Sequence, residues 1–163
     1  MLKEGDWILI RYEDRKYLKR LDPSQSLSVR KDVLKFSELV GKPEGIKIGR
    51  FEIFRPSLED VIVLGFERKT QIIYPKDAFY IAFKLGLTKS SKVLEFGTGS
   101  GALCAVLSRL AGEVHTYEAV ERFYKVAKKN LDRFSLGERT SDSTTFDFSS
   151  AEVPSEFFDA AAR

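Results

Sequence analysis

The chain has 163 residues, of which 43% are hydrophobic and 31% charged, room for one ordinary domain or two small ones. A single cysteine excludes an internal disulfide, and one Cys with one His leaves too few soft ligands for zinc. No metal is expected, and a reducing, cytoplasmic setting is the default. No apolar stretch approaches the roughly 20 residues that span a bilayer, and no secretory leader pattern opens the chain, so no membrane association is expected. The net charge of +3 is unevenly spread, with 16 Lys/Arg against 12 Asp/Glu in residues 1–76 and 11 against 12 in residues 77–163. A mild positive excess permits a polyanionic partner such as RNA without demanding one.

The first 70 residues read as a small β-rich domain. Trp7 to Ile10, the Tyr17-Leu18 region, Leu27 to Val29, Ile46 to Ile48 and Phe51 to Ile53 are short segments, several with alternate apolar positions. Turn residues lie between them, which predicts a small barrel or curled sheet. Ser57-Leu58-Glu59-Asp60 has the form of a capping box, opening a short helix that carries Val61, Ile62 and Leu64 inward.

Residues 71–163 change pattern. Asp77 is the expected N-cap of a helix presenting Phe79, Ile81, Ala82, Phe83 and Leu85 and ended by Gly86. A strand over Lys92–Phe96, a helix from Gly101 to Ala111, a strand over Glu113–Tyr117 and a helix from Ala119 to Phe134 follow. Such alternation is the pattern of a parallel α/β sheet. Ser and Thr then dominate residues 135–150, where Thr144 to Phe148 is the one segment that reads as a third strand.

Gly97, Gly99 and Gly101 join the first of these strands to its helix. Glycine lets backbone approach a ligand closely, and the helix N-terminus adds amide donors. With Ala102 the turn also fits the dinucleotide pattern Gly-x-Gly-x-x-Ala, so the glycines alone leave two ligand classes open. Glu95 favours one of them. A carboxylate two residues before Gly97 would repel a diphosphate but attract a cation, and S-adenosylmethionine carries a sulfonium and an ammonium. Glu118, closing the second strand, is placed to accept ribose hydroxyls, and Asp147, after the third, to meet an adenine amine.

From Phe54 onward the chain resembles the tRNA adenine-58 N1-methyltransferases of bacteria and archaea and their eukaryotic catalytic-subunit relatives. Three blocks carry the likeness: Arg55 to Asp60 (RPSLED), Arg68 to Asp77 (RKTQIIYPKD) and Glu95 to Leu103 (EFGTGSGAL). The resemblance implies a small β-rich N-terminal domain followed by a Rossmann-like class I methyltransferase sheet. It implies S-adenosylmethionine as cofactor and tRNA as substrate. It places Ser100, Gly101, Ala102 and Leu103 at the methionine end of the cofactor, Glu118 on the ribose and Asp147 at the adenine, with Gln71 and Tyr74 closing over the site.

The same family carries an acid beyond its Phe-Phe-Asp-Ala segment, at the target base. The corresponding position lies past Arg163, so no catalytic residue is assigned and the α/β sheet is expected to be partial. Two functional readings follow. One is an N1-methyltransferase by lineage, with its cofactor-binding half present. The other is a non-catalytic module that binds S-adenosylmethionine or RNA and is completed by another chain, an exposed sheet edge favouring association into a homo-oligomer. An NAD-binding half-domain rests on Ala102 alone.

Overall fold

The computed structural model describes residues 1–136 and the backbone of a strand at Thr144–Asp147. Two compact units divide the chain after Gly65. Phe66 and Glu67 fall in the second unit because they are tied to its last helix. The Phe66 ring stacks on Phe134 at 6.0 Å, and the Glu67 amide donates to Asn130 Oδ1 at 2.9 Å.

In the first unit, β1 (Trp7–Tyr12), β2 (Arg15–Arg20), β5 (Ile46–Ile48) and β6 (Phe51–Phe54) form an antiparallel sheet in the order β2-β1-β6-β5. β3 (Ser26–Val29) and β4 (Asp32–Lys35) form a separate hairpin. β4 is absent from the sequence reading, because its turn contains no glycine; Arg30 itself takes the left-handed conformation with φ 56°. Ile8, Ile10, Tyr12, Leu34, Phe36 and Ile53 are buried together as one apolar core.

Ser57 and Asp60 make the full reciprocal capping box over a single helical turn, α1 (Leu58–Asp60). The next residues, Val61–Gly65, widen into a π-helical turn. That widening changes the angle between successive side chains, so Val61 and Ile62 are buried as expected but Leu64 is turned outward and is 41% exposed.

The second unit contains α2 (Pro75–Lys84), β7 (Lys92–Phe96), α3 (Ala102–Leu110), β8 (Glu113–Tyr117), α4 (Glu121–Arg133) and β9 (Thr144–Asp147). The strands pair in parallel in the order β7-β8-β9, the α/β arrangement expected. α2 starts earlier than expected: Tyr74 is its N-cap and Pro75 its first residue, so Asp77 lies in the first turn. Proline fits there because the first helical amides have no intrahelical acceptor. The face α2 buries keeps Ala82 of the expected set and adds Ala78. Ala78 and Ala82, four apart, are buried, while Phe79, Phe83 and Leu85 are exposed. The small pair allows close packing, and the bulky residues stand on other faces. Among the described residues no helix is long and apolar enough to cross a membrane.

Candidate functional site

The site grows from the carboxyl end of β7. Gly97, Gly99 and Gly101 all have positive φ (84°, 59° and 84°), a conformation that a side chain disfavours. The Gly97 amide donates to the Tyr117 carbonyl at 2.7 Å, stapling the turn to the end of β8. A Cβ on Gly97 would meet nothing within 4 Å, so this stretch of backbone borders open space. A Cβ on Gly99 would lie 3.1 Å from Thr70 Oγ1, a tight contact from which the Thr70 hydroxyl would have to draw back. Gly101 is the N-cap of α3. Ser100 and Ala102 are buried and Leu103 half-buried on the first turn, which leaves mainly their backbone to face a ligand.

Two acids flank this turn in different ways. Glu118 folds over it: one carboxylate oxygen accepts from the Gly99 amide at 2.8 Å and the other from the Val120 amide at 2.9 Å. Glu95 points inward and is only 7% exposed. Its Oε2 accepts from the Thr116 hydroxyl at 2.6 Å, and Thr116 in turn shares a 2.5 Å hydrogen bond with Thr98 of the glycine turn. Burial pushes the Glu95 carboxyl up to about 7, against the pull of hydrogen bonds from Thr116 and Cys104, with the neighbouring Glu118 charge adding to the rise. Burial likewise raises the Cys104 thiol, whose side chain is fully enclosed. An acid held near neutrality is sensitive to any cation that arrives beside it.

A strap over residues 66–74 reaches the turn from the other side. Thr70 Oγ1 lies 3.1 Å from Ser100 Oγ. Gln71 and Tyr74, the residues expected to close over a ligand, are exposed on this strap, with the Arg68 guanidinium 5.8 Å from the centre of the Tyr74 ring. Asp147 ends β9 in register with Tyr117, which puts its backbone at the same end of the sheet. Its side chain, and the Phe157-Phe158-Asp159-Ala160 segment, lie outside the described residues.

The structure thus brings Glu95, the three glycines, Ser100 and Glu118 together at one end of the sheet and links the strap to them through Thr70. Thr98, Thr116 and Asn130 are absent from the sequence reading. One signal for Asn130 was present: it lies on the apolar stripe of α4, between Ala127 and Leu131, where a polar side chain must have internal partners.

Residues 54–155 match the model of the family described as the tRNA methyltransferase complex GCD14 subunit. A crystal structure of the tRNA (m1A58) methyltransferase TrmI from Aquifex aeolicus is 62% identical with a TM-score of 0.84, covering 94% of this chain and 62% of that one. A SAM-dependent O-methyltransferase from Thermotoga maritima is 34% identical with a TM-score of 0.76, over 93% of this chain and 57% of that one. Among curated relatives, the tRNA (adenine(58)-N(1))-methyltransferase catalytic subunit TRM61 of Eremothecium gossypii is 30% identical over 148 residues, 83% of this chain. The chain spans 36% of that relative's length.

Proposed function

The chain belongs to the family of the GCD14 subunit of the tRNA methyltransferase complex and has the fold of its class I methyltransferase neighbours; from that premise we propose that its α/β unit binds S-adenosylmethionine for N1-methylation of adenine 58 in tRNA. The observation that carries the reading is the Glu118 carboxylate lying across a three-glycine turn whose first glycine borders open space. Backbone without side chains permits close approach of the cofactor, and a carboxylate at a strand end can exchange the Gly99 and Val120 amides for a pair of ribose hydroxyls.

Glu95 supplies the counter-charge. Near pH 7 its carboxyl is poised between its two forms, and a sulfonium or ammonium close by would draw it to the carboxylate. In this reading Ser100 to Leu103 border the methionine end, Asp147 meets the adenine, and Gln71 and Tyr74 close over the bound molecule. When bound, S-adenosylmethionine would supply an electrophilic methyl, taken in line by the N1 lone pair of an adenine as the methyl–sulfur bond breaks and S-adenosylhomocysteine leaves. The chain's own task is to hold and align the donor, a contribution of position and electrostatics rather than proton transfer. A cytoplasmic location follows from the same reading.

Calorimetric titration with S-adenosylhomocysteine tests the cofactor claim. Wild type should bind and Glu118→Ala should bind more weakly; a wild type without affinity would overturn it. Transfer of labelled methyl to unmodified tRNA tests the activity. A second reading, a cofactor- or RNA-binding module completed by another chain, is favoured by two observations. Among the described residues β7 carries a partner on one edge only, and Phe79 and Phe83 stand exposed on α2. Cofactor binding with no methyl transfer, together with self-association in light scattering, would select that second reading.

A further inference from the structure

Asn130 is a buried polar side chain for which the cofactor reading assigns no role. It is 1% exposed, and each of its side-chain atoms able to hydrogen-bond is engaged. Oδ1 accepts from the Glu67 amide at 2.9 Å, and Nδ2 donates to the Glu67 carbonyl at 2.8 Å and to the Ser100 carbonyl at 3.0 Å. The first two bonds mimic a β-ladder rung on the start of the strap. The third holds the last residue before the α3 N-cap. Beyond Asn130, the Glu67 carboxylate pairs with Lys129 at 2.9 Å, and Thr70 meets the Ser100 hydroxyl at 3.1 Å.

We infer that Asn130 is a positioning residue for cofactor binding: its carboxamide clamps the strap that carries Gln71 and Tyr74 to the glycine turn, so that both sides of the cofactor site are held by one side chain. The inference rests on the proposed binding of S-adenosylmethionine at this turn. Its physical basis is the rarity of the alternative. A carboxamide in an apolar stripe is costly unless fully satisfied, and an apolar residue would serve packing alone. Here all the satisfaction comes from backbone of the strap and of the glycine turn itself, and none of these bonds is made to α4's own backbone. Removal of the clamp leaves two backbone carbonyls and one amide without their partner and releases the strap at its point of departure from the turn.

The test is S-adenosylhomocysteine affinity combined with trypsin cleavage at Arg68 and Lys69, which lie on the strap one and two residues past the clamped Glu67. Wild type, Asn130→Ala and Val106→Ala are compared. Val106, buried in the middle of α3, serves as a control for lost packing without a lost clamp. The expected result is an affinity about tenfold lower for Asn130→Ala, the loss of one or two hydrogen bonds, with Val106→Ala within about twofold of wild type. S-adenosylhomocysteine should protect Arg68 and Lys69 in wild type and in Val106→Ala but not in Asn130→Ala. Equal affinity and equal protection in Asn130→Ala would overturn the clamp while leaving the cofactor reading intact. Absence of binding by wild type would overturn the cofactor reading and the clamp with it. If Asn130→Ala does not fold, Asn130→Ser, which retains one hydrogen-bonding group, carries the same comparison with the same two outcomes.

Discussion

The two units bury different kinds of side chain. Of the twelve largest fully buried side chains among the described residues, ten lie in the first unit, and only Leu131 and Val106 lie in the second. The interior of the second unit adds to Leu107, Val114, Leu131 and the Phe66–Phe134 pair a set of small residues, Ala78, Ala82, Ala102, Cys104, Ala105 and Ala127, and the bonded polar set Glu95, Thr98, Ser100, Thr116 and Asn130. Four of its aromatic residues, Phe79, Tyr80, Phe83 and Phe96, are exposed. Volume holds the first unit, where a four-stranded sheet and a hairpin close over one core. Close approach and hydrogen bonding shape the second, where helices must come near enough to the strands to fix a glycine turn.

The largest effect that separates the two units is cavity formation in the first. Ile53 is fully buried opposite Ile10 on β1 and Ile46 on β5. Ile53→Ala should cost about 2–5 kcal/mol in denaturant unfolding, with loss of the first unit's cooperative transition. A loss below about 1 kcal/mol would show that large side chains are not what holds that sheet.

Next in size is the response to pH, where one buried acid of each unit runs in the opposite sense. Glu95 has a native pKa of about 7, above its unfolded value of 4.5. The folded state therefore binds more protons than the unfolded state between these values. Its contribution is fully present below about 4.5, falls as pH rises to about 7, and changes by about 3 kcal/mol in all. Glu95→Gln should remove this slope and melt above wild type at pH 8, with little difference at pH 4.5. Asp60 of the first unit runs the other way. Burial opposes its ionisation, but hydrogen bonds from Ser57 and Lys16 hold its pKa below the usual value, so its contribution is lost as pH falls through the acid range. A Glu95→Gln variant with an unchanged pH profile would remove the contrast.

A smaller loss is expected at the helix start, where sequence and structure coincide. Ser57→Ala removes the hydroxyl that accepts from the Asp60 amide at 3.1 Å and should cost about 1 kcal/mol, read from the thermal midpoint. Local chemistry of this sort was legible. So were β7 and the glycine turn, because an apolar run ending in glycines has few other solutions, and β8, set off from α3 by Gly112. The interior of the site was less so. Glu95 read as an acid facing a ligand, and the structure adds that it is bonded to Thr116 and Cys104, contacts made across strand and helix that no local pattern encodes. Asn130 depends on residues 63 positions away in Glu67. On α2 the bulky residues looked like the buried face, whereas the Ala78–Ala82 pair packs inward. Periodicity finds a stripe but cannot tell close packing by small residues from burial of large ones.

The smallest expected change in stability comes from the exposed face of α2, and it sharpens the contrast most directly. Phe83 is 79% exposed and Phe79 43%, so neither contributes much to the core. Phe83→Lys should alter unfolding free energy by no more than about 0.5 kcal/mol, as for a surface site. It should nevertheless lower the fluorescence of an apolar dye, since Phe79, Phe83 and Leu87 line one concave patch with Leu110. The equivalent change in the first unit, Val33→Lys at an exposed hairpin position, should leave dye binding unchanged, because Val33, 58% exposed on β4, is not part of that patch. Equal dye loss in both variants would mean that the apolar surface is shared between the units. Loss confined to Phe83→Lys would place it on the α/β unit, beside the helix that packs on the glycine turn's own α3.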